Sequence, residues 1–216
     1  MIKELISTAD ITPSLVDELG GKLRDDAVDG KSFIGTDGKN TAVLWETATG
    51  KKLRTFSGHT KDVYTAIVVN GGKTLITGSE DKSIKQWNIA TGECLKTITD
   101  KPAYGDVFTL AAAPDEKRFG MVCDGGYVRV FDSATLKEIW KTKLGKEGEV
   151  VAWAPDGSLI ASTSRDGNLY LFHPKTGKVV KKIKTVQKSH TPVTFSNDSK
   201  FIISGGDSIL HVHNVE

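Results

Sequence analysis

Four segments of this chain align without gaps, and this internal repeat restricts the fold more than any other feature. The segments are AVLWETATGKKL, IKQWNIATGECL, VRVFDSATLKEI and LYLFHPKTGKVV, and a weaker copy, LHVHNVE, follows them. Their shared ring position is held by Trp45, Trp87, Phe131, Phe172 and His213, at intervals of 42, 44, 41 and 41 residues. A period of this length indicates a stack of small, similar structural units.

Within each repeat the residues favour short β-strands. TLITGS, SIKQW, LIASTS and NLYLF are rich in β-branched and aromatic residues and are separated by turn residues. Thr-Gly pairs end at Gly50, Gly92 and Gly177, where glycine can adopt a positive φ in a tight turn. Leu136 takes that position in the third copy, so we expect its turn to have another shape. Each unit is predicted to contain four strands.

A lone four-stranded meander exposes both faces, so such units are stable when they are stacked on one another. A period near 42 residues is typical of a β-propeller. We therefore predict an all-β fold, a β-propeller of about five four-stranded antiparallel blades. The fifth copy ends at its third strand, and Ile2–Ser7 can supply the fourth strand and close the ring.

These repeats resemble the WD-repeat (Trp-Asp repeat) β-propeller family over roughly residues 28–216. The likeness is strongest in the second repeat, where Gly58-His59, Asp81 and Trp87 stand at the family's spacing. The Trp-Asp pair itself is replaced by Trp-Glu, Trp-Asn, Phe-Asp and Phe-His. The resemblance implies that both chain termini meet in one blade. More blades are usual in the family, so the alternative is a fragment or a ring completed by another subunit.

The predicted domain organisation is one propeller domain over residues 1–216. Residues 1–7 would form the closing strand, and residues 28–216 the repeats. Between them, residues 8–27 would hold an insertion and the start of the first blade. This insertion contains an apolar and acidic stretch that favours one short helix. The helix would begin at Thr12 and Pro13 and end at Gly20.

His59, Thr77 and Asp81 are the residue types of a proton relay, or of a buried structural brace. A catalytic group is needed once, whereas a structural group recurs with the repeat. The aspartate register is filled again by Asp166 and Asp207, and the hydroxyl register by Ser162 and Ser204. The recurrence favours the brace. The family resemblance implies a hydrogen-bonded structural tetrad, formed here by His59, Thr77, Asp81 and Trp87.

Composition excludes few functions. The chain has 29 basic and 27 acidic side chains and a net charge of +2, so no global charge favours nucleic acid or a membrane. We expect Cys94 and Cys123 to be free, buried thiols, because no CxxC pair is present. MIKELISTAD lacks the apolar region of a signal peptide. These features predict a reducing, cytoplasmic location, with the nucleus as the alternative.

Two further patterns were considered as binding sites. His211 and His213 share a strand face and could hold a metal with a third ligand, but His213 fills the anchor register, which favours a packed imidazole. No metal and no cofactor is therefore predicted. A basic run near the fourth repeat's outer strand favours protection of a sheet edge over an RNA patch. Its members are Lys175, Lys178, Lys181, Lys182, Lys184 and Lys188.

We interpret the chain as a non-catalytic scaffold that presents a rigid propeller face to protein or peptide partners in a multiprotein complex. No catalytic residue is predicted, and neither membrane binding nor direct nucleic-acid binding is expected. The alternative is an RNA- or ribosome-associated WD-repeat subunit that uses the lysine-rich edge. A propeller enzyme ranks below both.

The start of each first strand and the turn before each aspartate register should share one propeller face. Six of the nine residues at these positions are acidic and two are aromatic, which predicts a site for a basic segment. The predicted partner-binding residues are Asp62, Tyr64, Glu80, Asp106, Phe108, Asp124, Glu147, Glu149 and Arg165.

Overall fold

The computed structural model describes residues 32–36, 39–99, 105–185, 192–206 and 209–215. The predicted closing strand, the predicted short helix, Asp207 and Lys188 lie outside the described residues. Every regular element in the described ranges is a β-strand, which confirms the all-β prediction. Those ranges contain no helix that is long and apolar enough to cross a membrane.

The chain divides into two compact units, one that ends at Leu110 and one that continues from Ala111. The described residues of the first unit form a three-stranded and a four-stranded antiparallel sheet, and within each sheet every strand pairs with the next along the chain. Its strands are β1 (Ser32–Thr36), β2 (Thr41–Glu46), β3 (Lys52–Ser57), β4 (Val63–Val69), β5 (Thr74–Ser79), β6 (Ser83–Asn88) and β7 (Cys94–Thr99).

The second unit follows the same pattern with two four-stranded sheets and one three-stranded sheet. The boundary between the units falls inside the first strand of the first of these sheets. The strands are β8 (Val107–Ala112), β9 (Arg118–Cys123), β10 (Tyr127–Asp132), β11 (Glu138–Lys143), β12 (Gly148–Trp153), β13 (Ile160–Ser164), β14 (Asn168–Phe172), β15 (Val179–Lys184), β16 (Val193–Phe195), β17 (Phe201–Gly206) and β18 (Ile209–Asn214).

The repeated aromatic position coincides with a repeated backbone feature. Trp45, Trp87, Phe131 and Phe172 lie on β2, β6, β10 and β14. In all four sheets the pairing with the following strand shifts register at this residue. Such a bulge leaves one residue unpaired and increases the local twist of the strand. Each sheet thus bends at the same point, as expected of similar units.

The core of the first unit follows from strand periodicity. Along β4 the residues alternate between buried and half-buried, because successive side chains point to opposite faces. The half-buried face contributes Ala66 and Val68 to a cluster that includes Phe56, Leu75 and Trp87, and the rings of Phe56 and Trp87 meet edge to face at 6.0 Å. Burying an aromatic or leucine side chain of this kind stabilises the fold by roughly 1.5–3 kcal/mol.

The two cysteines differ in exposure, so the expectation of two buried thiols is wrong for Cys94. Cys123 is buried in β9, and this burial raises the pKa of its thiol. Cys94 is exposed, because it begins β7, the outermost strand of its sheet, where almost every residue is exposed. An outer strand has a paired neighbour on one side alone and buries less of its surface.

The turn at Leu136 corrects a second expectation. Leu136 has a φ of +54°, close to the +68°, +79° and +69° of Gly50, Gly92 and Gly177. Its amide donates to the carbonyl of Asp132 at 2.9 Å, as the amide of Gly50 does to Glu46. The turn therefore has the same shape, not another one. Leu136 is only 4% exposed, and the burial of its side chain offsets the strained backbone.

Candidate functional site

Four predicted tetrad residues meet inside the sheet formed by β4–β7. His59 precedes β4, Thr77 lies on β5, Asp81 lies in the β5–β6 turn, and Trp87 lies on β6. His59 Nε2 is 2.7 Å from Thr77 Oγ1, and His59 Nδ1 is 2.9 Å from Asp81 Oδ2. The Trp87 indole N–H donates to Thr77 Oγ1 at 2.9 Å. We call these four residues the brace.

The donors and acceptors of the brace fix its protonation. The Asp81 carboxylate can only accept, so His59 donates to it through Nδ1–H. An indole N–H can only donate, so Thr77 Oγ1 accepts from Trp87, and in the neutral imidazole the remaining nitrogen, Nε2, accepts from the Thr77 hydroxyl. Burial lowers the pKa of His59 despite the nearby Asp81, so the imidazole is neutral near pH 7.

Asp81 is held in its ionised form. Burial alone raises the pKa of its carboxyl, but hydrogen bonds from Ser83, the Thr60 amide and His59 outweigh burial and lower the pKa below its usual value. The Thr60 amide donates to Oδ2 at 3.0 Å, and the Ser83 hydroxyl donates to Oδ1 at 2.5 Å. Both oxygens of this half-buried carboxylate thus accept hydrogen bonds from the protein.

This geometry suits a structural brace better than a nucleophile. The Thr77 hydroxyl belongs to a residue with 0% exposure, so a substrate has no access to it. The oxygen of this hydroxyl is already hydrogen-bonded to both Trp87 and His59. The arrangement satisfies four polar groups that would otherwise be buried without partners, which is costly.

In the fourth repeat a different residue donates the hydrogen bond to the aspartate. Leu144 stands at the histidine register, and the Tyr170 hydroxyl donates instead to Asp166 Oδ2 at 2.5 Å. Lys182 Nζ lies 3.8 Å from the same oxygen and 5.0 Å from the centre of the Tyr170 ring. Burial raises the pKa of Asp166, but hydrogen bonds from Tyr170 and Asn168 outweigh it and lower the pKa overall.

Five of the nine predicted partner-binding residues belong to the first unit, and contacts connect several of them. The rings of Tyr64 and Phe108 stack with their centres 6.2 Å apart and their planes at 28°, and both residues are half-buried. Glu80 follows β5, and its amide donates to the carbonyl of Asp62 at 2.9 Å. With Asp106, these residues form what we call the aromatic–acidic surface.

The electrostatics of this surface are negative but partly compensated. Burial raises the pKa of the Tyr64 phenol, and the charges of Glu80 and Asp106 raise it further. Lys61 Nζ is 2.8 Å from Glu80 Oε1, which lowers the pKa of Glu80 and raises that of Lys61. Among the described residues, Lys61 thus compensates Glu80, one of the three carboxylates of this surface.

The other four predicted residues lie in the second unit, where the acidic character is weaker. Arg165 Nη1 is 2.5 Å from Glu147 Oε2, and its Nε is 3.2 Å from Glu149 Oε1. The single guanidinium therefore compensates two carboxylates. Asp124 is exposed in the turn between β9 and β10.

Sequence reasoning missed three residues at these sites. Ser83 extends the brace and has a recognisable signal, because a small polar residue stands two positions after the aspartate in both SEDKS and SRDGN. The Ser83 and Asn168 amides each donate to that aspartate, at 2.9 and 3.1 Å. No recurring residue type indicates Tyr170 or Lys61, since each makes its contact in one repeat alone.

Within the described ranges, no three His, Cys, Asp or Glu side chains gather into a group that could hold a metal ion. The described part of the chain thus gives no support to a metal centre built on three or more of these side chains.

Comparison with known protein families finds two matches, both to models of WD repeats. Residues 50–88 match the family described as "WD domain, G-beta repeat", and residues 134–198 match the "Anaphase-promoting complex subunit 4 WD40 domain". The first match contains all four residues of the brace, and the second contains Asp166 and Tyr170. Both matched models describe WD repeats, so these two segments of the chain are similar to that repeat.

The curated relatives are longer proteins. The chain is 28% identical over 182 residues to "Protein tipD" of Dictyostelium discoideum, which covers 81% of the chain and 29% of that protein. It is 27% identical over 189 residues to "Eukaryotic translation initiation factor 3 subunit I" of Aspergillus terreus, covering 82% and 56%. The subunit of the same name from Vanderwaltozyma polyspora is 28% identical over 200 residues, with the same coverage. The chain spans little more than half of these relatives' length, or less.

Proposed function

We propose that this chain is a non-catalytic WD-repeat scaffold that contributes to a multiprotein assembly and docks a basic protein segment on the aromatic–acidic surface. The observation that carries this proposal is the stacked, half-buried pair of Tyr64 and Phe108 beside three carboxylates. Aromatic side chains are the favoured hot spots of protein interfaces, because they bury a large area at low entropic cost.

The charges around the aromatic pair support a basic partner. Asp62 is exposed, and Lys61 compensates Glu80 only in part, since its ammonium is itself exposed to solvent. An arginine or lysine of the partner can approach Asp62 and Asp106 while its aliphatic stem covers the Tyr64 ring. Rim charges of this kind mostly accelerate association, whereas the aromatic contacts determine how long the complex lasts.

The proposal that the chain is not an enzyme follows from the role of the brace. His59 and Asp81 are the residues that would serve a proton relay, and both are engaged in holding Thr77 and Ser83. The chemistry of these residues is used inside the fold, not at its surface.

Membership of an assembly is supported by the names of the relatives, several of which are subunits of a translation initiation factor. A cytoplasmic location, with the nucleus as the alternative, accompanies this proposal, because free thiols fit a reducing compartment.

A second candidate function is the RNA- or ribosome-associated subunit, favoured by the lysines of β15. Lys184 on β15 and Lys178, which directly precedes that strand, are exposed. Lys182 is engaged with Asp166 and Tyr170, and Lys181 donates to the carbonyls of Asn214 and Val215. Two of the lysines thus hold structure, which makes this candidate the weaker one.

The test begins with affinity purification of partners from the native cell and uses the retained protein as ligand. The double variant Tyr64→Ala/Phe108→Ala should weaken its binding by at least about 2 kcal/mol, roughly thirtyfold in Kd. Phe201→Ala, which removes an exposed aromatic ring in the second unit, is the matched control and should bind normally. Reversing the charges of Asp62 and Glu80 should mainly slow association.

Unchanged binding in the double variant, with the fold intact by circular dichroism, would remove the aromatic–acidic surface from the proposal. If the retained ligand is RNA, and its affinity falls steeply with added salt, the lysine edge becomes the better candidate.

A further inference from the structure

Three polar atoms on one face of the last sheet are buried and have no hydrogen-bond partner among the residues that the structure describes. They are Ser204 Oγ on β17 and the Nε2 atoms of His211 and His213 on β18. Native proteins leave few such atoms, and each one calls for an explanation. Their coincidence on a single face indicates that the face accommodates a group that the three atoms could bind.

The sheet register places these atoms together. Ser204 is the direct cross-strand partner of His211, and His213 follows two residues later on the same face of β18. Residues two apart on a strand are separated by about 6.6 Å. The imidazole rings lie side by side with their centres 6.1 Å apart and their planes at 17°. Neither ring therefore donates to the other, and both Nε2 atoms remain available.

The geometry points to a transition-metal site on this sheet, in which His211 and His213 bind one divalent ion such as Zn²⁺ or Cu²⁺ through Nε2. This goes beyond the proposed docking function, since it uses residues that take no part in it. Two histidines would leave the other coordination positions to water. The Ser204 hydroxyl would then receive a hydrogen bond from a metal-bound water.

The chemistry of the two side chains suits this role. A metal binds the neutral imidazole, which offers the lone pair of its unprotonated ring nitrogen. Bonds from imidazole nitrogen to zinc are about 2.0–2.1 Å long, so the two rings must turn toward each other on binding. Imidazole ligands favour zinc, copper and nickel over magnesium and calcium.

The charge of Lys181 opposes metal binding and supplies a sharp test. Its Nζ donates to the carbonyl of Val215 at 3.3 Å, near the end of β18. A cation so close to His213 repels a second one. Removing this charge should therefore tighten metal binding, which is the opposite of what loss of a ligand does.

The experiment uses the full chain, freed of metal with a chelator, and titrates it with Zn²⁺ by calorimetry at pH 7.5. We expect one ion per chain and a melting temperature that rises with Zn²⁺. His211→Gln and His213→Gln should each raise Kd at least about tenfold. Lys181→Met should lower Kd. His173→Gln, which removes an exposed imidazole of the β14–β15 turn, is the matched control and should leave Kd unchanged.

A second measurement identifies the ligands directly. With Cu²⁺ as the probe, electron paramagnetic resonance should show coupling to two imidazole nitrogens in the parent chain and to fewer in either histidine variant. The inference is overturned if Zn²⁺ shows no binding up to about 1 mM. It is also overturned if both histidine variants, folded by circular dichroism, bind Zn²⁺ as the parent does.

Discussion

The brace makes a quantitative prediction for Thr77→Val. Valine has the shape of threonine but no hydroxyl, so the packing of β5 is preserved while Trp87 Nε1 and His59 Nε2 each lose a partner at 2.9 and 2.7 Å. Both partners are buried, with exposures of 1% and 3%, so water cannot replace the hydroxyl without opening the fold.

The magnitude follows from counting the groups left without a partner. A buried donor or acceptor that loses its partner costs about 1–3 kcal/mol. Two such groups, less the small gain from burying a methyl in place of a hydroxyl, give an expected loss of about 2–5 kcal/mol in the free energy of unfolding. Thr77→Ser keeps the hydroxyl and loses one methyl, so it should cost only about 1 kcal/mol.

The assay is urea unfolding, followed by tryptophan fluorescence and by circular dichroism. Ser162→Ala is the matched control, because Ser162 stands in the same register of the fourth repeat. Its hydroxyl donates to the carbonyl of Thr163 at 3.3 Å, a long bond that should be worth less than about 1 kcal/mol. If Thr77→Val costs no more than Thr77→Ser, the hydroxyl does not support the brace and the reasoning fails.

Two further predictions concern the fold. Leu136→Gly should relieve about 1 kcal/mol of backbone strain at the positive φ but lose about 2–3 kcal/mol from the burial of the leucine side chain. The free energy of unfolding, measured by thermal unfolding, should therefore fall by about 1–2 kcal/mol. A stabilised variant would contradict this. Because the pKa of His59 in the fold lies below its ordinary 6.5, the unfolded chain binds more protons and stability should decrease as pH falls from about 6.5. His59→Gln should make that dependence shallower, and an unchanged slope of unfolding free energy against pH would show that His59 is not its source.

Much of the local structure could be predicted from the repeat, because strands and turns recur and each copy supports the others. The alternation along β4 and the anchor positions of Trp87 and Phe172 follow directly from residue pattern. The meeting of His59 with Asp81 could also be anticipated, since the aspartate register recurs in other repeats.

The features that could not be predicted from the sequence are those that occur in one repeat alone. Tyr170 replaces a histidine from another part of the chain, and no spacing rule indicates that its hydroxyl reaches Asp166. Leu136 adopts a backbone angle usually left to glycine, because tertiary burial outweighs local preference. Lys61 and Glu80 form an ion pair although they are 19 positions apart, and the residue pattern alone does not predict this pairing.

The two forms of the aspartate contact have different consequences for local opening. His59 and Asp81 are 22 residues apart, so this contact ties the connection before β4 to the turn after β5. Tyr170 and Asp166 are only four residues apart, and their contact closes within one turn and its following strand. The first must break before the connection can detach, whereas the second survives such a movement. Detaching the segment that enters β12 would leave the contact between Tyr170 and Asp166 intact, whereas the segment that enters β4 detaches only when its contact with Asp81 breaks.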